Sequence, residues 1–136
     1  MDQFPFFRQQ NKMDCGPTCL RIIAKYYGRE IAPPPTNIGV RGVSMLDLHE
    51  AAISIGFQSH AVKLSWEELE QRATLPLIAH WRQIHFVVVY RISPQKVYVA
   101  DPGIGLATYT KEDFVERWAD TTESGAHYGF ALLLKP

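Results

Sequence analysis

Apolar positions follow helical spacing in the first half of the chain and strand-like spacing in the second. Between Asp14 and Tyr27 they fall at Leu20, Ile23, Ala24 and Tyr27, one face of a helix. Asp14 is placed to cap that helix, Pro17 is tolerated in its first turn, and Gly28 stands where a C-terminal cap glycine belongs. Pro33-Pro34-Pro35 excludes regular helix and predicts an extended connection. A second helix is predicted from Ser44 as N-cap, with Asp47 completing a near capping box. Met45, Leu48, Ala52 and Ile55 form its apolar stripe, and Gly56 closes it. Ser65-Trp66-Glu67-Glu68 reads as a capping box opening a short helix to Arg72.

Strand-like runs occupy Gln58–Lys63, Leu77–His80, His85–Ile92, Lys96–Ala100 and Gly129–Leu134. Ser93-Pro94-Gln95 reads as a hairpin turn between two of them. Lys111–Trp118 reads as one more short helix, capped by Thr110. Helices first and a mainly antiparallel sheet afterwards make an α+β pattern, without internal repeats or low-complexity segments.

The 136 residues suit one domain with a core of its own. Hydrophobic residues at 46% and charged residues at 21% exclude a disordered chain. Fourteen Lys and Arg balance fourteen Asp and Glu, which argues against a protein that holds nucleic acid by charge. Met1-Asp2-Gln3-Phe4-Pro5 lacks the basic and apolar segments of a signal peptide, and no apolar run is long enough to span a bilayer, so a soluble chain is expected. Cys15 and Cys19 lie one helical turn apart, a spacing poorly suited to a disulfide. Free thiols point to a reducing compartment, hence cytoplasm.

Cys15 falls in the first turn of the first predicted helix, where the positive end of the helix favours a thiolate. His85 opens a strand, and Asp101 follows the strand after the hairpin turn, so residues near 85 and 101 come together across the hairpin. A thiol, an imidazole and a carboxylate are the parts of a cysteine peptidase. The Cys15 backbone N–H and a side-chain amide from Gln9 would hold the oxyanion, and on spacing alone Gln10 serves as well. Singly, each residue has a plainer reading: Cys15 as an apolar filler, His85 as a strand residue, Asp101 as a turn former before Pro102-Gly103. The combination favours catalysis. Cys19, one turn deeper, reads as core. His49, His60, His80 and His127 are assigned to a helix, an edge strand, a strand end and a loop, and no metal site is expected.

Several blocks in order resemble the C39 family of bacterial peptidases. They are Gln9 with Asp14-Cys15-Gly16-Pro17, Tyr26-Tyr27-Gly28, Gly42-Val43-Ser44, Ile55-Gly56-Phe57, His85-Phe86-Val87-Val88 and Val99-Ala100-Asp101-Pro102-Gly103. The resemblance implies a papain-like fold over residues 1–136, a helical subdomain packed on a mainly antiparallel sheet. It places the nucleophile on Cys15, the general base on His85, the orienting carboxylate on Asp101 and the oxyanion glutamine on Gln9. It further implies removal of leader peptides after a Gly-Gly type motif from bacteriocins or related secreted peptides. The precursor would carry a helical leader. Covalently joined transmembrane and ATPase domains are expected, on the cytoplasmic side of the inner membrane. No cofactor is expected for the peptidase, ATP belonging to a separate domain. Trp66, Trp81 and Trp118 are candidate exposed aromatics for leader docking. Relatives commonly carry an extra short helix where this chain has its three prolines. Lys135-Pro136 stands where the family continues into membrane helices, so a fragment is expected. Two other readings compete: a C39-like module that only tethers substrate, and a free-standing peptidase unconnected to transport.

Overall fold

A seven-stranded, wholly antiparallel sheet carries two helices against each of two apolar clusters. The computed structural model describes residues 4–10, 14–31, 44–82 and 84–136. The triple-proline connection and the Gly42-Val43 pair lie outside the described residues. In chain order the elements are α1 (Cys15–Tyr26), α2 (Met45–Ser54), β1 (Gln58–Ser65), α3 (Trp66–Arg72), β2 (Leu77–Trp81), β3 (His85–Ile92), β4 (Lys96–Asp101), β5 (Gly105–Thr110), α4 (Lys111–Trp118), β6 (Ala119–Glu123) and β7 (Ala126–Lys135). The strands run β1-β7-β2-β3-β4-β5 across the sheet, with β6 paired to β7 beyond that path.

Local chemistry sets the helix ends. Ser44 with Asp47 and Ser65 with Glu68 both form reciprocal capping boxes, and Thr110 accepts from the Asp113 N–H. Asp14 occupies the N-cap position of α1, but its side chain makes no capping bond; the buried residue serves by its carbonyl, which accepts from Thr18. At the other end Gly28, at φ +79°, donates to Lys25 while Arg29 donates to Ala24, a Schellman closure that needs a left-handed residue. On α2 only Leu48 and Ala52 are fully buried; Met45 and Ile55 pack on the edge of the same cluster.

The sheet is apolar on both faces, which explains the unbroken run Phe86-Val87-Val88-Val89. Phe86 and Val88 join the cluster made with α1 and α2, whereas Val87 and Val89 join the one made with α3 and α4. On β7, Leu132 and Leu134 join the first cluster and Ala131 the second. The two strands missing from the sequence reading, β5 and β6, bury no residue fully. Such edge strands give little hydrophobic signal. His127, assigned to a loop, lies in β7, where its Nδ1 pairs with the Thr122 hydroxyl of β6 at 3.1 Å.

The three tryptophans are not exposed. Trp66 is 4%, Trp81 5% and Trp118 0% accessible, and all three rings contact Phe114 with centroids 5.5–5.8 Å apart. Their apolar area is worth more inside the second cluster than on a surface, so none can dock a leader. The Trp118 indole donates to the Phe130 carbonyl at 3.0 Å and lies flat over Gly129, where an added Cβ would stand 2.6 Å from ring atom Cδ2. Gly129→Ala is therefore expected to destabilise the fold by about 2–3 kcal/mol through overpacking. Urea unfolding of the variant tests this, and wild-type stability would refute the contact.

Candidate active site

Cys15 is the first residue of α1, so its backbone N–H has no partner within the helix. Gly16 beside it packs closely on α2: a Cβ there would lie 3.0 Å from both Leu48 methyl carbons, so Leu48 would have to shift. Among the four helices of the described residues, α1 alone has no acidic residue in its first turn. The others carry Asp47, Glu67 and Glu68, or Glu112 and Asp113. The positive helix end therefore acts on the Cys15 sulfur without a first-turn carboxylate to offset it. Both thiols are free and buried.

His85 opens β3 and Asp101 closes β4. The hairpin between them is closed by the Ser93 N–H, which donates to Lys96 at 2.9 Å. His85 Nε2 donates to Asp101 Oδ1 at 2.7 Å, with side-chain exposures of 23% and 7%. A second donor, the Gly103 N–H, reaches the same oxygen at 2.8 Å. Burial depresses the basicity of the imidazole, but the Asp101 hydrogen bond, then Cys15, overcome it and raise its pKa from 6.5 to about 9. The ring is thus an imidazolium at neutral pH. Burial pushes the Cys19 thiol well above its ordinary value, and the neighbouring Cys15 and Asp101 add to this. The two cysteines differ in surroundings: Cys15 interacts with the imidazole, and Cys19 is fully buried in the first cluster.

Gln9 and Gln10, equal on spacing, are distinguished by position. The Gln9 N–H donates to the Pro102 carbonyl at 2.9 Å, and its side chain is half-buried beside Gly103. Gln10 is exposed. The sequence marks a turn at Asp101-Pro102-Gly103 but gives no role to Arg8, whose guanidinium donates to the Gly103 carbonyl at 3.2 Å. The Asp-Pro-Gly run was the available signal. Ile84 and Ile104, beside His85 and Gly103 in the chain, are 85% and 62% exposed. Of the other histidines, His49 bonds the Ser59 hydroxyl and His80 stacks on Phe86. Among the described residues no cluster of three metal-ligating side chains occurs, and no helix is long and apolar enough to cross a membrane.

Comparison with known proteins gives a consistent result. The profile of the Peptidase C39 family matches residues 3–122. The lactococcin-G-processing and transport ATP-binding protein LagD of Lactococcus lactis subsp. lactis is 31% identical over 121 residues, which cover 81% of this chain and 17% of LagD. The chain thus spans a small part of the length of such relatives. A double glycine motif protease from an AMS/PCAT transporter, crystallised with the leader peptide, has TM-score 0.87 at 24% identity, covering 98% of this chain and 92% of that one. The peptidase domain of Streptococcus ComA, a bi-functional ABC transporter of a quorum-sensing pathway, has TM-score 0.82 at 24% identity over 98% and 99% of the two chains. At such identity the likeness shows the fold, which is the papain-like α+β arrangement expected.

The raised imidazole pKa carries a stability consequence. Between pH 6.5 and about 9 the folded state holds a proton on His85 that the unfolded chain has released. The share of this contribution that Asp101 supplies is complete below pH 6.5 and lost as pH rises through 9. Urea titrations across that window should show falling stability in the wild type and a flatter dependence in Asp101→Asn. Equal slopes would contradict the assigned pair.

Proposed function

This chain belongs to the Peptidase C39 family, and on that premise we propose that it is a cysteine endopeptidase that removes leader peptides after a Gly-Gly type motif. The observation that carries the reading is His85, bonded to Asp101 at 2.7 Å and influenced by Cys15, its basicity raised to about 9. With Nε2 committed to Asp101, Nδ1 is the ring nitrogen left for the sulfur. A thiolate–imidazolium pair is the active form of such a nucleophile.

The Cys15 thiolate attacks the scissile carbonyl carbon and forms the C–S bond. The oxygen takes up the negative charge and is held by the Cys15 N–H and the Gln9 carboxamide. The His85 imidazolium then gives its proton to the departing amine as the C–N bond breaks, leaving a thioester on Cys15. Water, deprotonated by the now neutral His85, attacks the thioester and releases the acid, and the pair is restored. Asp101 keeps the ring oriented throughout.

The substrate assignment draws on the relatives. One is named for lactococcin-G processing and transport, another is a double glycine motif protease bound to a leader peptide. We assign to this chain a precursor peptide with a helical leader. Its parent is a membrane exporter in which the peptidase faces the cytoplasm and ATP is used elsewhere. Two small residues before the cut suit a narrow cleft, while affinity comes from a remote part of the leader.

Cleavage of a synthetic precursor ending its leader in Gly-Gly tests the roles. Cys15→Ala and His85→Ala should each lower kcat by at least roughly 10³-fold, and Gln9→Ala by about 10²–10³-fold, with KM little changed. Iodoacetamide near neutral pH should label Cys15 and spare Cys19, and His85→Ala should slow that labelling. Retained turnover in Cys15→Ala would overturn the mechanism. An unreactive Cys15 would favour a module that only tethers substrate.

A further inference from the structure

The turn after β4 touches both halves of the site. Its Gly103 N–H reaches Asp101 Oδ1 at 2.8 Å, the oxygen that also receives His85 Nε2. The Gly103 carbonyl accepts from Arg8 at 3.2 Å, and the neighbouring Pro102 carbonyl accepts from the Gln9 N–H at 2.9 Å. One peptide segment therefore fixes the orienting carboxylate on one side and the glutamine-bearing segment on the other. Gly103 does not have the left-handed φ seen at Gly28, Gly56, Gly105 and Gly125, so its backbone conformation is open to any residue. Space is what it supplies: a Cβ there would lie 3.3 Å from Asp101 Oδ1 and 3.5 Å from Gln9 Oε1.

We propose that Gly103 is a positioning residue for catalysis: its N–H and its missing side chain set the His85–Asp101 pair and the Gln9 carboxamide in mutual alignment. The inference rests on the cysteine-peptidase reading of the site. Gln9 is separated from His85 and Asp101 by most of the chain, and each must be held within a few tenths of an ångström for an oxyanion donor and a proton donor to meet one carbonyl. Two donors on Asp101 Oδ1 stop the carboxylate from turning, which stops the imidazole from turning. A methyl group there crowds Asp101 Oδ1, which must give by a few tenths of an ångström, and fills the space up to ordinary contact with Gln9 Oε1. It does so without adding charge, removing a hydrogen-bonding group or straining the backbone.

The test is Gly103→Ala in the whole chain, assayed on the Gly-Gly precursor. It should unfold close to the wild-type midpoint, lose roughly tenfold in kcat and keep its KM. The alkaline limb of its activity, set by His85 near pH 9, should move to lower pH as the Asp101 bond loosens. Wild-type kcat with an unmoved limb would overturn the proposal. Should the alanine variant fail to fold, Arg8→Ala removes only the exposed bond to the Gly103 carbonyl. There a several-fold loss of kcat at constant KM supports the proposal, and wild-type kcat overturns it. If the wild-type chain does not cleave the precursor, the substrate reading is what fails. Iodoacetamide labelling of Cys15 against pH then still decides on Gly103: a shifted profile in Gly103→Ala supports the positioning role, and a superimposable one overturns it.

Discussion

The site depends on the bond between His85 and Asp101, which the β3–β4 hairpin brings together at 2.7 Å. That hairpin does not pair evenly. Near the turn Ile92 faces Val97 and Arg91 faces Tyr98; past Tyr90 the register slips by one residue, so that Val89 faces Val99 and Val88 faces Ala100. Directly opposed residues point to the same face, and a shift of one reverses that face. The slip therefore sets Val88 beside Ala100 in the first cluster and Val89 beside Val99 in the second. His85 and Asp101 stand at the strand ends that this register aligns.

Tyr90, the residue left over by the slip, has a second effect. Its ring stacks on Phe4 at 4.2 Å between centroids, with the planes only 8° apart. Phe4 begins the described N-terminal segment, and Gln9 ends its bonded part at the Pro102 carbonyl. A further hold comes from the Arg21 guanidinium of α1, 3.9 Å above the Phe7 ring. The segment that presents Gln9 is therefore fastened to β3, to α1 and to the turn after β4. A loose strand could not keep an amide at a fixed point, and three separate anchors can.

Much of this was legible because local chemistry and tertiary structure agree. Ser44, Ser65 and Thr110 each mark a helix start, Gly28 marks an end, and the run from His85 to Ile92 is a strand over its whole length. His85 and Asp101 could be grouped because a hairpin brings its two ends together whatever its register. The sequence did not show the slip at Tyr90, since Tyr90 continues the apolar run and no glycine marks the irregularity. Nor did it show that the tryptophans are internal: each stands among charged neighbours in α3 or α4, or next to a turn, yet the second face of the sheet needs large side chains to cover it. Composition reports how much apolar surface must be buried, and topology decides which face buries it.

Asp101 shows how chemistry and folding are joined here. A carboxylate only 7% exposed is costly unless donors surround it. Its Oδ1 has two, from His85 and from Gly103, and each belongs to an element that the reaction also uses. The carboxylate therefore cannot be left unpaired without weakening the fold, and the groups that stabilise it are those whose orientation the proposed reaction needs. The imidazolium gains in the same way, since its excess basicity comes from the carboxylate and the thiol rather than from solvent. Helix α1, the sheet and the N-terminal segment meet at this pair, so the geometry of the reaction is also the geometry of the joint between layers. A rearrangement that misaligned the proposed catalytic groups would leave a buried carboxyl without its donors, so stability itself holds this arrangement in place.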